Sequence, residues 1–342
     1  MIISRTPLRM SFVGGGSDMP EFYRRHRGAV VSTAIDKYVY VNINRKFDGG
    51  IRLAYSKTEE IDAVSEIEHR LFKATFERIG LRGGVEIATI ADIPSRGTGL
   101  GSSSTFTVGL INAVFAYLGS HVSAEKLGRL ACEIEIERCG EPIGKQDQYA
   151  AAFGGLNLIE FNADDSVQVT PIIMPQDRRE AFERRVLVFY TGLTRSASGI
   201  LRQQSEAVAG DGAKREALTR MVGLAYAFRD ALQEADFDGA GDILHENWAL
   251  KKSLASGITS ADIDGWYEAG MRAGAQGGKL LGAGAGGFLA FLAPPDRHAA
   301  IRAALPALRS VTFRFDPLGS RIIFYNPTTL EAVPLPDPRA GP

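Results

Sequence analysis

Between Gly97 and Ser104 the chain reads GTGLGSSS, and directly behind it comes TFTVGLINAVFAYL, an apolar pattern that predicts a helix over 103–118. No other feature constrains the fold as much. Backbone with few side chains is placed at the start of a helix, where unpaired N–H groups point outward. The helix dipole favours an anion there, and glycine lets a backbone come close to a phosphate. The serines add donors and, if one reaches a cation, a magnesium ligand. The same run also serves as a flexible turn with a serine N-cap. It is not a Walker loop, because no G-K-[ST] follows.

Around this run, strand and helix patterns are mixed. TPLRMSFVGGGSD reads as a strand ending in a glycine loop, and AVVSTAIDKYVYVNINRKF as one or two long strands. IDAVSEIEHRLFKATFERIG predicts an amphipathic helix closed by Gly80, and GVEIATIADIP a strand ended by Pro94. A further helix is predicted over 123–139. LNLIEF, VQVTPII and RRVLVFY return to strands, helices dominate 198–273, and GGFLAFLAP, VTFRFD and SRIIFY are strands again. Elements mixed in this way predict an α+β class in two layers. A chain of 342 residues has room for two domains. The change from strands to helices divides it into 1–190, 191–326 and a loose proline-rich tail, 327–342.

Charge and composition exclude several classes. Lys+Arg (39) and Asp+Glu (40) nearly cancel to −1, so no basic surplus marks a nucleic-acid or membrane partner. Arg5, Pro7 and Arg9 interrupt the N-terminus where a signal peptide needs an apolar run. The longest apolar stretch, 106–118, falls short of the ~20 residues that span a bilayer. A soluble, cytoplasmic protein is expected. Cys132 and Cys139, about 10 Å apart along one predicted helix, are too distant for a disulfide and fit reduced thiols. The five histidines share no ligand spacing and there is no G-x-S-x-G, so zinc and hydrolase chemistry have little support.

Two more glycine loops stand out. Gly282-Ala283-Gly284-Ala285-Gly286-Gly287 matches G-x-G-x-x-G, but a dinucleotide loop follows a strand and opens a helix. This one follows a predicted helix, GWYEAGMRAGAQGG, and precedes a strand, which leaves a backbone loop packed beside a bound ligand. VGGGSD is either a hairpin turn capped by Asp18 or a close-approach site whose Asp18 accepts hydrogen bonds from substrate hydroxyls. Two carboxylates also draw attention. Glu135 shares a helix face with Gly128, Ala131, Cys132 and Cys139, while Glu133 and Glu137 point away. A carboxylate on a small, apolar face calls for a cation. The alternation E-I-E-I-E also permits a short strand. Asp147, in GKQDQYAAAFGG, is by itself a cap or a solvated residue.

PSRGTGLGSSSTF, GKQDQYAAAFGG and KLLGAGAGGFLAFL, in that order, resemble the three signatures of the GHMP superfamily. That superfamily covers galactokinase, homoserine kinase, mevalonate kinase and phosphomevalonate kinase. RTPLRMSFVGGGSD is similar to its sugar-kinase opening, and with TFRFDPLGSRIIFY looks like the branch of bacterial D-glycero-D-manno-heptose 7-phosphate kinases. The resemblance spans about 5–325. It implies two domains, an N-terminal mixed α/β one and a C-terminal α+β one of ferredoxin-like kind, with the active site between them. It implies ATP and Mg2+ as cofactors, and phosphorylation of a sugar's anomeric hydroxyl on a route to nucleotide-activated heptose. The alternatives are another sugar-1-kinase, such as a fucokinase or galactokinase, and a catalytically silent ligand-binding protein on the same scaffold. The implied partner is a small sugar phosphate, and a homodimer is compatible with the fold.

By the same resemblance, Gly99, Leu100, Gly101, Ser102, Ser103 and Ser104 would wrap the ATP phosphates. Ser103 and Glu135 would hold magnesium; Glu135 stands seven residues before Pro142, which is the family's spacing. Asp147 matches the catalytic aspartate and Arg9 the arginine beside it. Asp18, with Gly15, Gly16 and Ser17, would grip the sugar, and Gly284, Ala285 and Gly286 would line the acceptor and the moving phosphoryl group. One departure is that Ser104 and Thr105 stand where many members have alanines; both are small. A sugar that already carries a phosphate needs a second anion site. Arg24, Arg25, Arg27, Lys37, Arg195 and Arg202 are candidates, each readable equally as a solvated surface charge.

Overall fold

A computed structural model of the chain describes residues 1–93, 97–193 and 197–326. Pro94, Arg195 and the tail 327–342 lie outside the described residues. The chain begins with β1 (Ile2–Val13), a short α1 (Pro20–Tyr23), β2 (Gly28–Arg45), β3 (Ile51–Ala54) and β4 (Thr58–Ile61). Next come α2 (Arg70–Ile79), β5 (Val85–Ala91), α3 (Ser102–Tyr117), α4 (Ala124–Cys132) and a π-helical segment, Glu133–Arg138. Then follow α5 (Gln146–Phe153), β6 (Leu156–Phe161), β7 (Val167–Pro171), α6 (Gln176–Arg185) and β8 (Val186–Tyr190). Four helices succeed them: α7 (Ala197–Gly210), α8 (Gly212–Glu234), α9 (Phe237–Ser253) and α10 (Ala261–Arg272). The last elements are β9 (Gly277–Leu280), β10 (Phe288–Leu292), α11 (His298–Ala304), β11 (Arg309–Val311) and β12 (Arg321–Tyr325).

Two sheets result. The first has eight strands, ordered β12-β1-β2-β5-β3-β4, with β6 on β2 and β7 on β6. The long β2 makes this possible: residues 28–33 pair with β6 and 39–45 with β5, while β1 runs along its other side. In its second half, buried Val39, Val41 and Ile43 alternate with more exposed Tyr38, Tyr40 and Asn42, the period of a half-buried strand. The second sheet has four antiparallel strands, β11-β8-β10-β9. One apolar core joins the sheets. Met10 and Phe12 of β1 meet Val188 of β8 and Phe288 of β10, sealed by Leu224, Phe228 and Leu232 of α8. Burying each such side chain contributes about 1.5–3 kcal/mol. Helix α3, apolar all round, is buried on nearly every side.

Most of the expected strands and helices form; the differences have physical causes. The amphipathic helix starts at Arg70: Ile61 is taken into β4, which pairs with β3, and a separate 3-10 turn forms at Val64–Glu66. The helix expected over 123–139 changes to π geometry at Glu133, and the short-strand alternative there does not form. GGKL forms β9 on β10, so the second glycine loop joins two strands and does not follow a helix directly. The segment VTFRFD contributes only Val311 to a strand, β11, while Phe313 is buried in the core and Phe315 makes an isolated bridge to Ile35. Strand β8 belongs to the second sheet and β12 to the first, so the sheets do not divide at residue 190. Both cysteines are free and buried. No helix among the described residues is long and apolar enough to cross a membrane.

Candidate functional site

A cavity of about 310 Å³ opens where the two sheets meet. Arg9 and Ser11 of β1 line one wall, Lys279 of β9 another, and Gly97–Gly99 with Gly101–Ser104 a third. Gly101 caps α3 in the left-handed conformation, φ 76°. The first-turn N–H groups of α3 have no acceptor within the helix, and Ser102, Ser103 and Ser104 of that turn line this cavity. Two glycine loops form the wall together. A Cβ on Gly99 would sit 2.3 Å from the Leu281 carbonyl oxygen, and one on Gly282 would sit 2.4 Å from Gly99 Cα. Only glycine allows backbones to touch this closely, and both residues have positive φ (74° and 83°).

Arg9 organises the centre. Its Nε donates to Asp147 Oδ1 at 2.7 Å and its Nη2 to Oδ2 at 2.8 Å, a two-pronged pair. Its Nη1 donates to the Gly99 carbonyl at 2.7 Å, and its backbone N–H to the Leu100 carbonyl at 3.1 Å. One buried guanidinium therefore fixes the loop and the carboxylate together. Asp147, in the first turn of α5, keeps 23 % of its side-chain surface open, so a ligand can reach it.

Behind the loop lies Glu135, fully buried. It accepts hydrogen bonds from Ser103 Oγ at 2.9 Å and Gln148 Nε2 at 2.7 Å, and from the Ser104 side chain. Burial nevertheless pushes its carboxyl up to about 7, with Asp147 adding repulsion. Glu133 turns away to pair with Arg78 and Arg138, and Glu137 is exposed.

The opposite end of the cavity is built on Gly15 and Gly16. Asp18 lines it, with Oδ1 accepting from Gly16 N–H at 2.9 Å and Oδ2 from Gln146 N–H at 3.2 Å. Burial raises the Asp18 carboxyl above its usual range. Lys251 of α9 and Lys279 also line this end, and both are buried. Lys251 Nζ donates to the Gly15 carbonyl at 3.1 Å and to Gln204 Oε1 at 2.8 Å; Lys279 Nζ donates to the Ser11 carbonyl at 2.9 Å. Burial pushes their ammonium groups down to about 8 and about 7.

Most residues singled out in the sequence converge here, and some do not. Gly15, Gly16, Asp18, Arg9, Asp147, Gly99, Gly101 and Ser102–Ser104 line the cavity. Leu100 packs into the core, and Ser17 Oγ is spent on the Gly14 and Ala29 carbonyls. Gly284, Ala285 and Gly286 face away from the cavity: Gly284 lies against the Ile258 backbone, Ala285 N–H bonds the Ile258 carbonyl, and Gly286 lies against Leu193. Gly282 and Ala283 line the cavity in their place. Of the proposed phosphate-binding charges, Arg195 lies outside the described residues and the others are not among the residues lining the cavity. Arg24 pairs with Asp165, Arg27 with Glu160 and Lys37 with Asp36, while Arg25 and Arg202 are exposed. The sequence does not mark Lys251 or Lys279 as part of a site. Lys251 follows the same pattern as Lys252, which pairs with Asp264 at half-exposed positions. For Lys279 the one available signal is its place in GGKLLG, just ahead of the second loop.

Residues 66–155 match the family described as GHMP kinases N terminal domain, and 228–309 match GHMP kinases C terminal. The D-glycero-alpha-D-manno-heptose 7-phosphate kinase of Campylobacter jejuni subsp. jejuni is 32% identical over 311 residues, covering 86% of this chain and 90% of that one. The galactokinase of Pyrococcus furiosus is 26% identical over 344 residues, covering 89% and 92%. A solved structure described as a D-glycero-D-manno-heptose 1-phosphate kinase from Bacteroides thetaiotaomicron matches with a TM-score of 0.79 at 28% identity, covering 95% of this chain and all of that one.

Proposed function

The chain belongs to the GHMP kinases and is an ATP-dependent sugar kinase, and we propose that its acceptor is D-glycero-D-manno-heptose 7-phosphate, phosphorylated on the anomeric hydroxyl. The observation that carries this reading is the fork between Arg9 and Asp147. It lies between an anion-accepting helix start and a polar pocket that holds two buried lysines. The heptose kinase similarity supports the choice of sugar.

The chemistry follows from the walls. Phosphoryl transfer needs alignment and charge stabilisation more than covalent help. The N–H groups of Gly99–Ser104, at the positive end of α3, hold the triphosphate. Asp147 accepts the proton of the acceptor hydroxyl as its oxygen bonds to the γ-phosphorus and the bond to ADP breaks. Arg9 fixes the orientation of that carboxylate. Asp18 and Gln146, at the Gly15–Gly16 end, position the sugar hydroxyls.

Ser103 and Glu135 fit a magnesium ion. They offer hard oxygen donors, and the groups that reach the buried Glu135 carboxylate, Ser103, Ser104 and Gln148, are all neutral. Bound there with the phosphates, magnesium supplies charge neutralisation during transfer.

The test is a panel of heptose 7-phosphate, free heptose, D-galactose and L-fucose, assayed with ATP and read by phosphorus NMR. The expected result is phosphate on C1, with kcat/KM for heptose 7-phosphate about tenfold or more above the others. A higher kcat/KM on galactose or fucose overturns the assignment.

A further inference from the structure

Lys251 and Lys279 are 5% and 4% exposed, and neither pairs with a carboxylate among the described residues. Both oxygens of the nearby Asp18 are engaged by the N–H groups of Gly16 and Gln146. An ammonium has three donors. Lys251 uses two of them and Lys279 one, so three N–H bonds remain for a ligand. Two more donors stand beside them. Among the described residues, Ser11 Oγ and Gln204 Nε2 are buried without a hydrogen-bond partner. Ser11 lines the cavity, and Gln204 Nε2 lies 2.2 Å from where a Cβ on Gly16 would be. Lys251 touches Gly15 and Gly16 rather than the Gly97–Ser104 run.

A neutral sugar would leave the buried ammonium groups with no counter-charge but the nearby Asp18, and burial already disfavours their charged forms. A group with several acceptor oxygens and two negative charges satisfies both the charges and the orphan donors. We propose that Lys251, Lys279, Ser11 and Gln204 form a subsite for a phosphate monoester carried by the acceptor, so that the enzyme selects sugars that are already phosphorylated. This deepens, and rests on, the reading of the acceptor as a sugar phosphate.

Among the described residues, the charged groups around the subsite are Arg9 of β1, Asp18 of the following loop and the two lysines, with Asp147 of α5 beyond Asp18 and Glu141 elsewhere on the cavity wall. A bound dianion favours the ammonium forms, so anion binding takes up protons near pH 8, as expected for lysines held low by burial.

The experiment is isothermal titration of the full chain, with AMPPNP and magnesium filling the donor site and inorganic phosphate as the probe. Wild type binds phosphate, and Lys251→Gln weakens that binding by about tenfold or more, the scale of a lost charged hydrogen bond. In the same variant the ratio of kcat/KM for heptose 7-phosphate over free heptose collapses, while the KM for ATP stays. Wild type that binds no phosphate, unchanged phosphate affinity in Lys251→Gln, or a rise in ATP KM instead overturns the subsite. A second measurement needs no variant. Sulfate, which exchanges no proton near pH 8, is titrated into wild type in two buffers of different ionisation enthalpy. Proton uptake is expected, and its absence overturns the proposal. If wild type prefers a different sugar phosphate to heptose 7-phosphate while Lys251→Gln still loses phosphate binding, the heptose 7-phosphate reading fails and the subsite stands; a wild-type preference for unphosphorylated sugars overturns the subsite.

Discussion

Asp147 does not stand out by type: it is one polar residue among polar neighbours. Its chemical identity comes from Arg9, 138 positions earlier, which grips both carboxylate oxygens and leaves part of the side chain open. Asp147→Asn keeps the shape but gives up one acceptor and the charge. The expected outcome is a fall in kcat of about 10²–10⁴-fold, with ATP affinity by titration calorimetry retained. Near-normal turnover would remove Asp147 from the chemistry. Glu135 is a different case, because its place on an apolar helix face was readable from the sequence. Glu135→Gln should raise the magnesium concentration needed for half-maximal rate, and an unchanged magnesium dependence would count against Glu135 as a ligand.

At the scale of elements, the glycine loops carry the most information and the most risk. Local pattern shows that Gly99 and Gly101 precede a helix, but not that Gly282 presses on Gly99 from the other sheet. Gly282→Ala forces a Cβ to within 2.4 Å of Gly99 Cα at φ 83°. It should destabilise the protein by about 2 kcal/mol or more and raise the KM for ATP. Gly223→Ala is the control: it lies exposed on α8 with open space around it, and should stabilise by about 0.8–1 kcal/mol. Denaturant midpoints of both variants check the pair. If Gly282→Ala is as stable as wild type, the close packing of the loops is wrong. The π segment over Glu133–Arg138 was not legible, because its sequence also suits an α-helix or a strand.

For the whole molecule, the buried lysines set a pH dependence of stability. Their folded values, about 8 and about 7, lie below the ordinary 10.5. Within those windows the unfolded chain binds more protons than the folded one, so this contribution makes stability rise with pH. The burial cost is full below the folded values and relieved as pH climbs through them. Cys132, raised by burial, acts oppositely near and above its ordinary 9.0, so wild type is best compared with Lys279→Met. Ligand-free Lys279→Met should melt higher than wild type near pH 7, with the gap narrowing as pH rises from about 7 towards 10.5. A gap that widens with pH would refute the charge assignment. The sequence by itself determined the local elements, the helix start able to take an anion, and the order of the three motifs, because each depends on spacing within a few turns of chain. Which lysines are buried, where Arg9 points and which loops touch were decided only by the tertiary structure. These depend on packing between strands and helices far apart in sequence, and a solvated lysine and a buried one have the same neighbours along the chain.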